Sequence, residues 1–255
     1  MPKDIYLMIE TRKVINSKGL PFFIMNFLCC LLMTPSYAEQ FVLKAHEANY
    51  DVDIKGFTAE MKTSLKTLDG VNFLAEDFIK TTGIASVFLK GTLSSTSKFL
   101  AEGLTLKPNY FYSLDTISKD KKKLTLDFDW SSNQVLIVDN EKESTMMLND
   151  GIKDRISLKY TLMIDLLGNQ LQNQYSLYEN DKLKKINITN LGTKIITIDN
   201  VVYEVIGIKS QAAGSSKLSI FWCAEDLEFL PILIEQYRDD KLWLSASLSS
   251  YIEIT

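Results

Sequence analysis

Reactive side chains are scarce in this chain of 255 residues, which holds three cysteines and one histidine. Cys29 and Cys30 fall in an N-terminal apolar run, so Cys223 is the single thiol outside it. One thiol cannot close an internal disulfide, and the domain must rest on its hydrophobic core. The lone His46 has no second imidazole with which to share a metal, and any Ser-His-Asp arrangement would have to use it. It reads as a surface or strand-edge residue. A Gly-x-Ser-x-Gly elbow, a phosphate loop and a dinucleotide fingerprint are all missing. Ser95-Thr96-Ser97-Lys98 matches Ser-x-x-Lys, but it stands in a strand-like segment without a companion Lys-Thr-Gly. Cys223 has Glu225 and Asp226 nearby, and acidic neighbours raise a thiol pKa. It reads as a small hydrophobe. The expectation is a protein without catalytic residues, metal ligands or cofactor.

A membrane-spanning run is also missing. Leu20–Met33 is apolar but shorter than the roughly 20 residues a spanning helix needs. Arg12, Lys13 and Lys18 precede it, and Ser36-Tyr37-Ala38 follows with small residues at the −3 and −1 positions of a cleavage site. Residues 1–38 therefore read as a cleaved secretory signal, and 39–255 as one domain working in the periplasm, not membrane-spanning once processed. The chain carries a formal net charge of −4, and its basic leader contributes none of that acidity. An acidic balance argues against nucleic acid or anionic lipid headgroups as the main partner.

What is abundant is alternation. In "LTLDFDW", Leu124, Leu126, Phe128 and Trp130 share one face while Asp127 and Asp129 share the other. "YDVDIK" sets Tyr50, Val52 and Ile54 against Asp51, Asp53 and Lys55. "LWLSASLSSYIEI" sets Leu242, Leu244, Ala246, Leu248, Ile252 and Ile254 against Trp243, Ser245, Ser247, Ser249, Tyr251 and Glu253. Period two with one dry face is the pattern of antiparallel strands. Asp127, Asp129, Asp139 and Glu141 then read as solvated strand faces, since no glycine-containing calcium loop follows them. Turn signals fall at Lys55-Gly56, Asp69-Gly70, Lys107-Pro108-Asn109, Lys119–Lys123, Ser131-Ser132-Asn133, Asn180-Asp181, Asp199-Asn200, Gly214-Ser215 and Asp239-Asp240. They divide the chain into about ten to twelve strands.

One segment, "DRISLKYTLMIDLLGN", departs from period two. Ile156, Tyr160, Met163 and Leu167 form one helical stripe, and Leu158, Leu162 and Leu166 form a second beside it. Asp154 occupies the N-cap position, and Gly168-Asn169 is a stop signal. A second, short helical piece is expected near Ile84–Leu89. A one-faced sheet must be covered or closed. The expected architecture is mainly β: a large curved antiparallel sheet, a half-open barrel, with one long apolar helix over its concave face.

Five short motifs occur in a recognisable order: "YDVDIKGFTAEM", "TTGIASVFL", "FDW" (Phe128, Asp129, Trp130), "DRISLKYTL" (Asp154, Ser157, Tyr160) and "FWCAEDLEFLPILIEQ" (Trp222, Asp226, Leu230, Pro231). Together they resemble the bacterial envelope family called domain of unknown function 3108, over about Tyr50 to Tyr251. The resemblance implies an exported protein whose fold is similar to that of periplasmic lipoprotein carriers. It also marks Asp129, Asp154, Ser157, Asp226 and Pro231 as structural motif residues. It implies no settled activity, and Cys223 stands where the family varies.

Leu126, Phe128, Trp130, Tyr160, Met163, Leu167, Ile220 and Trp222 are the candidates to line a space between sheet and helix. The expected function is non-enzymatic: binding or chaperoning a hydrophobic envelope component such as an acyl chain, a lipid or a lipoprotein. The alternative is an interaction subunit of an envelope assembly, docking partner proteins at its sheet edges.

Overall fold

The structure is a computed structural model that describes residues 43–254 apart from 84, 89, 119, 149, 150, 180 and 181. The chain divides into two units, 1–40 and 41–255, and the described residues belong to the second. The secretory signal read at residues 1–38 lies outside the described residues.

The second unit is mostly sheet. In chain order it contains β1 (His46–Ile54), β2 (Phe57–Thr67), β3 (Asn72–Thr81), α1 (Ala85–Phe88), β4 (Thr92–Glu102), β5 (Thr105–Asp115), β6 (Lys122–Asp129), β7 (Gln134–Asp139) and β8 (Lys142–Met147). There follow β9 (Ile152–Lys153), α2 (Arg155–Leu167), β10 (Gln174–Glu179), β11 (Lys182–Ile198), β12 (Val201–Ala212) and β13 (Lys217–Ala224). A single 3-10 turn (Glu225–Leu227) leads to β14 (Leu230–Arg238) and β15 (Lys241–Glu253).

The fifteen strands of the described residues form one sheet, in the order β8-β7-β6-β5-β4-β3-β2-β1-β15-β14-β13-β12-β11-β10-β9. Each strand pairs with its sequence neighbour, and β1 pairs with β15 in the middle. The ladders are antiparallel except for the short β9–β10 pair. The two edges, β8 and β9, are consecutive in the chain. Met147 and Ile152 are five residues apart, so the edges lie within roughly 17 Å of each other at that point. The sheet has therefore curled round on itself, with an open seam between its first and last edges.

The strand count exceeds the ten to twelve expected. Turns at Gly103 (φ 56°) and Asn140 (φ 53°) divide runs that alternation alone does not separate. Lys107-Pro108-Asn109, conversely, is no turn. Asn109 is the extra residue of a β-bulge in β5, between the pairs Lys98–Tyr110 and Phe99–Pro108. A bulge tolerates proline because a ladder hydrogen bond is already lost there. The freed Pro108 carbonyl accepts from Trp130 Nε1 at 2.7 Å.

The helix also differs from expectation. It is short, 13 residues, and it is not uniformly apolar: Ser157, Thr161 and Asp165 are buried on it. Each has a partner, as buried polar groups require. Thr161 Oγ1 donates to Ser157 O at 2.7 Å, and Asp165 accepts from Gln170 Nε2 at 3.2 Å and from the Tyr175 hydroxyl. The N-terminus is built as read. Asp154 accepts from Ile156 N and Ser157 N, both at 2.9 Å, while Ser157 Oγ accepts from Asp154 N at 3.0 Å. The helix stops at Gly168, where an added Cβ would lie 2.7 Å from Leu104 Cδ2. The piece near Ile84–Leu89 is one helical turn, Ala85–Phe88.

The two stripes of α2 bury on two sides. Ile156, Tyr160, Met163 and Ile164 join the larger core, with Leu65, Phe73, Phe99 and Leu126. Leu158 and Leu162 join a smaller one with Leu177, Ile186, Ile208 and Cys223. Each such burial contributes roughly 1.5–3 kcal/mol relative to exposure. This division explains why the apolar face is too wide for one contact.

Candidate functional site

The concave face of the sheet and the N-terminal half of α2 enclose a cavity of about 820 Å³. Val52, Ile79, Ile186, Ile208, Phe221 and Leu244 line its sheet side, and Leu158, Leu162 and Met163 its helix side. The lining follows strand alternation and register. Val52 pairs with Ala59 and with Ala246, Ala246 with Ile234, and Ile234 with Phe221; all five face the cavity. A smaller cavity of about 210 Å³, at the other end of α2, has Asp165, Glu204 and Glu225 in its wall.

Six of the charged groups lining the large cavity are paired or hydrogen-bonded. Lys159 Nζ lies 2.9 Å from Asp77 Oδ1, and Lys184 Nζ lies 2.7 Å from Glu179 Oε2. Arg155 donates to Ser95 Oγ and, at 3.3 Å, to Ser113 Oγ, with Phe111 beneath its guanidinium. Asp115 is occupied by its own turn, accepting from Ile117 N, Ser118 N and Ser118 Oγ. Tyr50 reaches across the wall to donate to Pro231 O at 2.9 Å.

Of the eight lining candidates, Met163 is on the cavity wall. Leu126, Phe128 and Tyr160 are buried in the larger core, with Trp130 half-buried against it. Leu167 is half-buried at the end of α2. Ile220 and Trp222 do alternate with Cys223 along β13, but Ser219, Phe221 and Cys223 are the residues that face the cavity. Trp222 lies on the other face, against Gly207, where an added Cβ would come within 2.5 Å of its ring. Its Nε1 donates to Glu235 Oε2 at 2.9 Å, and Lys194 Nζ sits 3.3 Å from the ring centroid. Both faces of β13 are apolar in sequence, so hydropathy could not choose between them.

The structural motif residues hold turns and junctions. Asp129 accepts from the backbone and hydroxyls of Ser131 and Ser132, which hold its carboxyl well below the usual range. Asp154 is buried, and beyond capping α2 it accepts from Ser97 Oγ at 3.0 Å, tying the helix to β4. Ser157 completes the capping box. Asp226 is exposed in the 3-10 turn, and Pro231 is buried on the cavity wall. Ser97, from the chance Ser-x-x-Lys match, is thus the buried partner of the helix cap.

Cys223 is 4% exposed, and burial pushes its thiol up to about 12. His46 is not at the surface but 3% exposed. Its strand β1 lies mid-sheet because β15 pairs with it, a partner some 200 residues away. The ring packs 6.1 Å from Tyr160 and 5.6 Å from Tyr251, its Nδ1–H donates to Lys44 O at 2.9 Å, and burial lowers its pKa. No local sequence signal marks Lys153. It is buried, its Nζ donates to Leu106 O at 2.6 Å, and burial brings its pKa down to about 8.

A curled, open antiparallel sheet with an internal helix and a mostly apolar cavity defines a β-barrel-like architecture. The chain belongs to the family described as Protein of unknown function (DUF3108), matched over residues 49–240. In fold it is similar to a crystal structure described as a β-barrel-like protein of domain of unknown function DUF1849 from Brucella abortus. That similarity has a TM-score of 0.59 at 10% sequence identity, covering 84% of this chain and 99% of the other. No curated protein matches the sequence. Among the described residues, no helix is long and apolar enough to cross a membrane, and no three His, Cys, Asp or Glu side chains cluster as a metal site.

Proposed function

We propose that this protein is an exported, non-enzymatic carrier that holds one acyl chain, or a ligand of similar apolar shape, inside its curled sheet. The observation that carries this reading is the 820 Å³ cavity, whose volume falls within the roughly 300–1,000 Å³ typical of small-molecule sites. A packed core would have closed this space, since protein interiors leave few voids larger than a water molecule. Met61 and Met163 in the wall add adaptable apolar surface. The convex face carries Asp51, Asp53, Glu60 and Asp127, all exposed, which suits water better than the apolar outer band of a membrane barrel. The thiol and the histidine are buried and take no part in the reading.

The test is native mass spectrometry and organic extraction of the purified 39–255 protein, followed by titration with a neutral fluorescent probe, N-phenylnaphthylamine. One bound amphiphile or one probe per protein is expected. An interior that yields no lipid and takes up no probe would end the proposal. Periplasmic fractionation, with the mass of the processed chain, tests export and cleavage after Ala38.

A further inference from the structure

Among the described residues, no carboxylate pairs with two basic residues at the cavity rim, Lys217 and Arg238. Lys217 opens β13 and Arg238 closes β14, and they stand directly opposite each other in the ladder. Arg238 is in turn opposite Lys241 across the β14–β15 ladder. Three cations thus lie in a row across three neighbouring strands. Like charges directly opposite each other destabilise a sheet, so folding does not explain the row. Lys217 and Arg238 are exposed and line the cavity; Arg238 stacks 3.6 Å over Trp243, which lines it too. Asp239 and Asp240 lie beyond them in the hairpin turn and do not reach the lining.

The balance of the cavity points the same way. Its described lining contains Arg155, Lys159, Lys184, Lys217 and Arg238 against Asp77, Asp115 and Glu179. Asp77 and Glu179 are taken by Lys159 and Lys184, and Asp115 by its own turn. The wall is therefore net positive in a chain of net charge −4. A positive, partly apolar mouth in an acidic protein focuses negative charge at that point.

Resting on the reading above, we infer that the ligand carries an anionic head, a carboxylate or a phosphate, held by Lys217 and Arg238 at the rim while its chain lies among Val52, Ile208, Phe221 and Leu162. An arginine offers a planar pair of donors to either anion, and a lysine a compact charge beside it. Lys241 extends the positive edge outward and aids capture.

The test is displacement of bound N-phenylnaphthylamine by chains of equal length with different heads: hexadecanoate, hexadecyl phosphate, hexadecanol and hexadecyltrimethylammonium. The two anions should displace the probe at roughly tenfold lower concentration than the alcohol, the gain of a charge-assisted contact. The advantage should shrink with added salt. In the Lys217→Ala/Arg238→Ala double variant, with displacement scaled to that variant's own affinity for the probe, it should fall to about one, and Lys217→Glu/Arg238→Glu should favour the ammonium. Equal displacement by alcohol and anions, or an anion preference that survives in the double variant, overturns the inference and leaves the apolar carrier standing. A wild-type protein that takes up no probe removes both. Inorganic phosphate alone should displace nothing and bind far more weakly than hexadecyl phosphate. Equal binding would mean a free-anion site and would also overturn the inference.

Discussion

Replacing Lys153 by methionine should stabilise the protein at pH 7 and reshape its pH dependence. The side chain is 7% exposed, and its ammonium donates to Leu106 O at 2.6 Å. Burial is the main reason its pKa falls from 10.5 to about 8; Asp154 and Asp165 oppose the fall and Lys107 adds to it. At 1.36 kcal/mol per pKa unit, holding the charged form inside costs about 3 kcal/mol. Methionine removes that cost but leaves Leu106 O without its donor, which returns about 1 kcal/mol. The net expectation is a gain of about 1–2 kcal/mol. Between pH 8 and 10.5 the unfolded lysine keeps its proton and the native one has released it. The unfolded state then binds more protons, so this residue's contribution to wild-type stability rises with pH across that window. The contribution is complete above 10.5 and lost as pH falls through about 8. Urea unfolding of wild type and Lys153→Met from pH 7 to 10.5 measures the difference, in which other titrating groups cancel. The variant should lead at pH 7 and lose its lead by pH 10.5. A difference that does not change with pH would refute the reasoning.

Asp154→Ala should cost about 2–4 kcal/mol in the same assay, from the lost helix cap and the orphaned Ser97 hydroxyl, with Asp154→Asn recovering part of it. Phe221→Ala should weaken uptake of the neutral probe severalfold, whereas Trp222→Ala should leave uptake unchanged and lower stability by about 1–3 kcal/mol through lost packing under Lys194. Equal effects on uptake would reverse the assignment of the two faces of β13. The thiol of Cys223, on the cavity wall with its pKa raised by burial, should react with a disulfide reagent at neutral pH far more slowly than a free thiol, and denaturant should make labelling immediate.

Much of the fold was legible because its signals are local. Tyr50 and Val52 are buried while Asp51 and Asp53 are exposed, as period two predicts for β1. Leu126 and Phe128 are inside and Asp127 and Asp129 outside on β6. The same rule fails at both ends of β15. Trp243 and Ser249 are the extra residues of two bulges, and each bulge shifts the phase. Leu242 is therefore 50% exposed and Ile252 61% exposed, while Trp243 lines the cavity and Tyr251 packs against His46. A bulge is recorded in the pairing of two strands, and a single strand's sequence carries little trace of it.

The candidate site was less legible than the fold, for the same reason. The helix with its two stripes, its Asp154 cap and its Gly168 stop follows from contacts three and four residues apart, and the sequence by itself determined them. The cavity wall and its rim of cations follow from register between distant strands. Lys217 and Arg238 are 21 positions apart, and β1 meets β15 across almost the whole domain. Phe221 faces inward and Trp222 outward because β13 lies between β12 and β14, where Gly207 leaves room for the indole. Local spacing decides which residues share a face. Only the closing of the sheet decides which face becomes the inside.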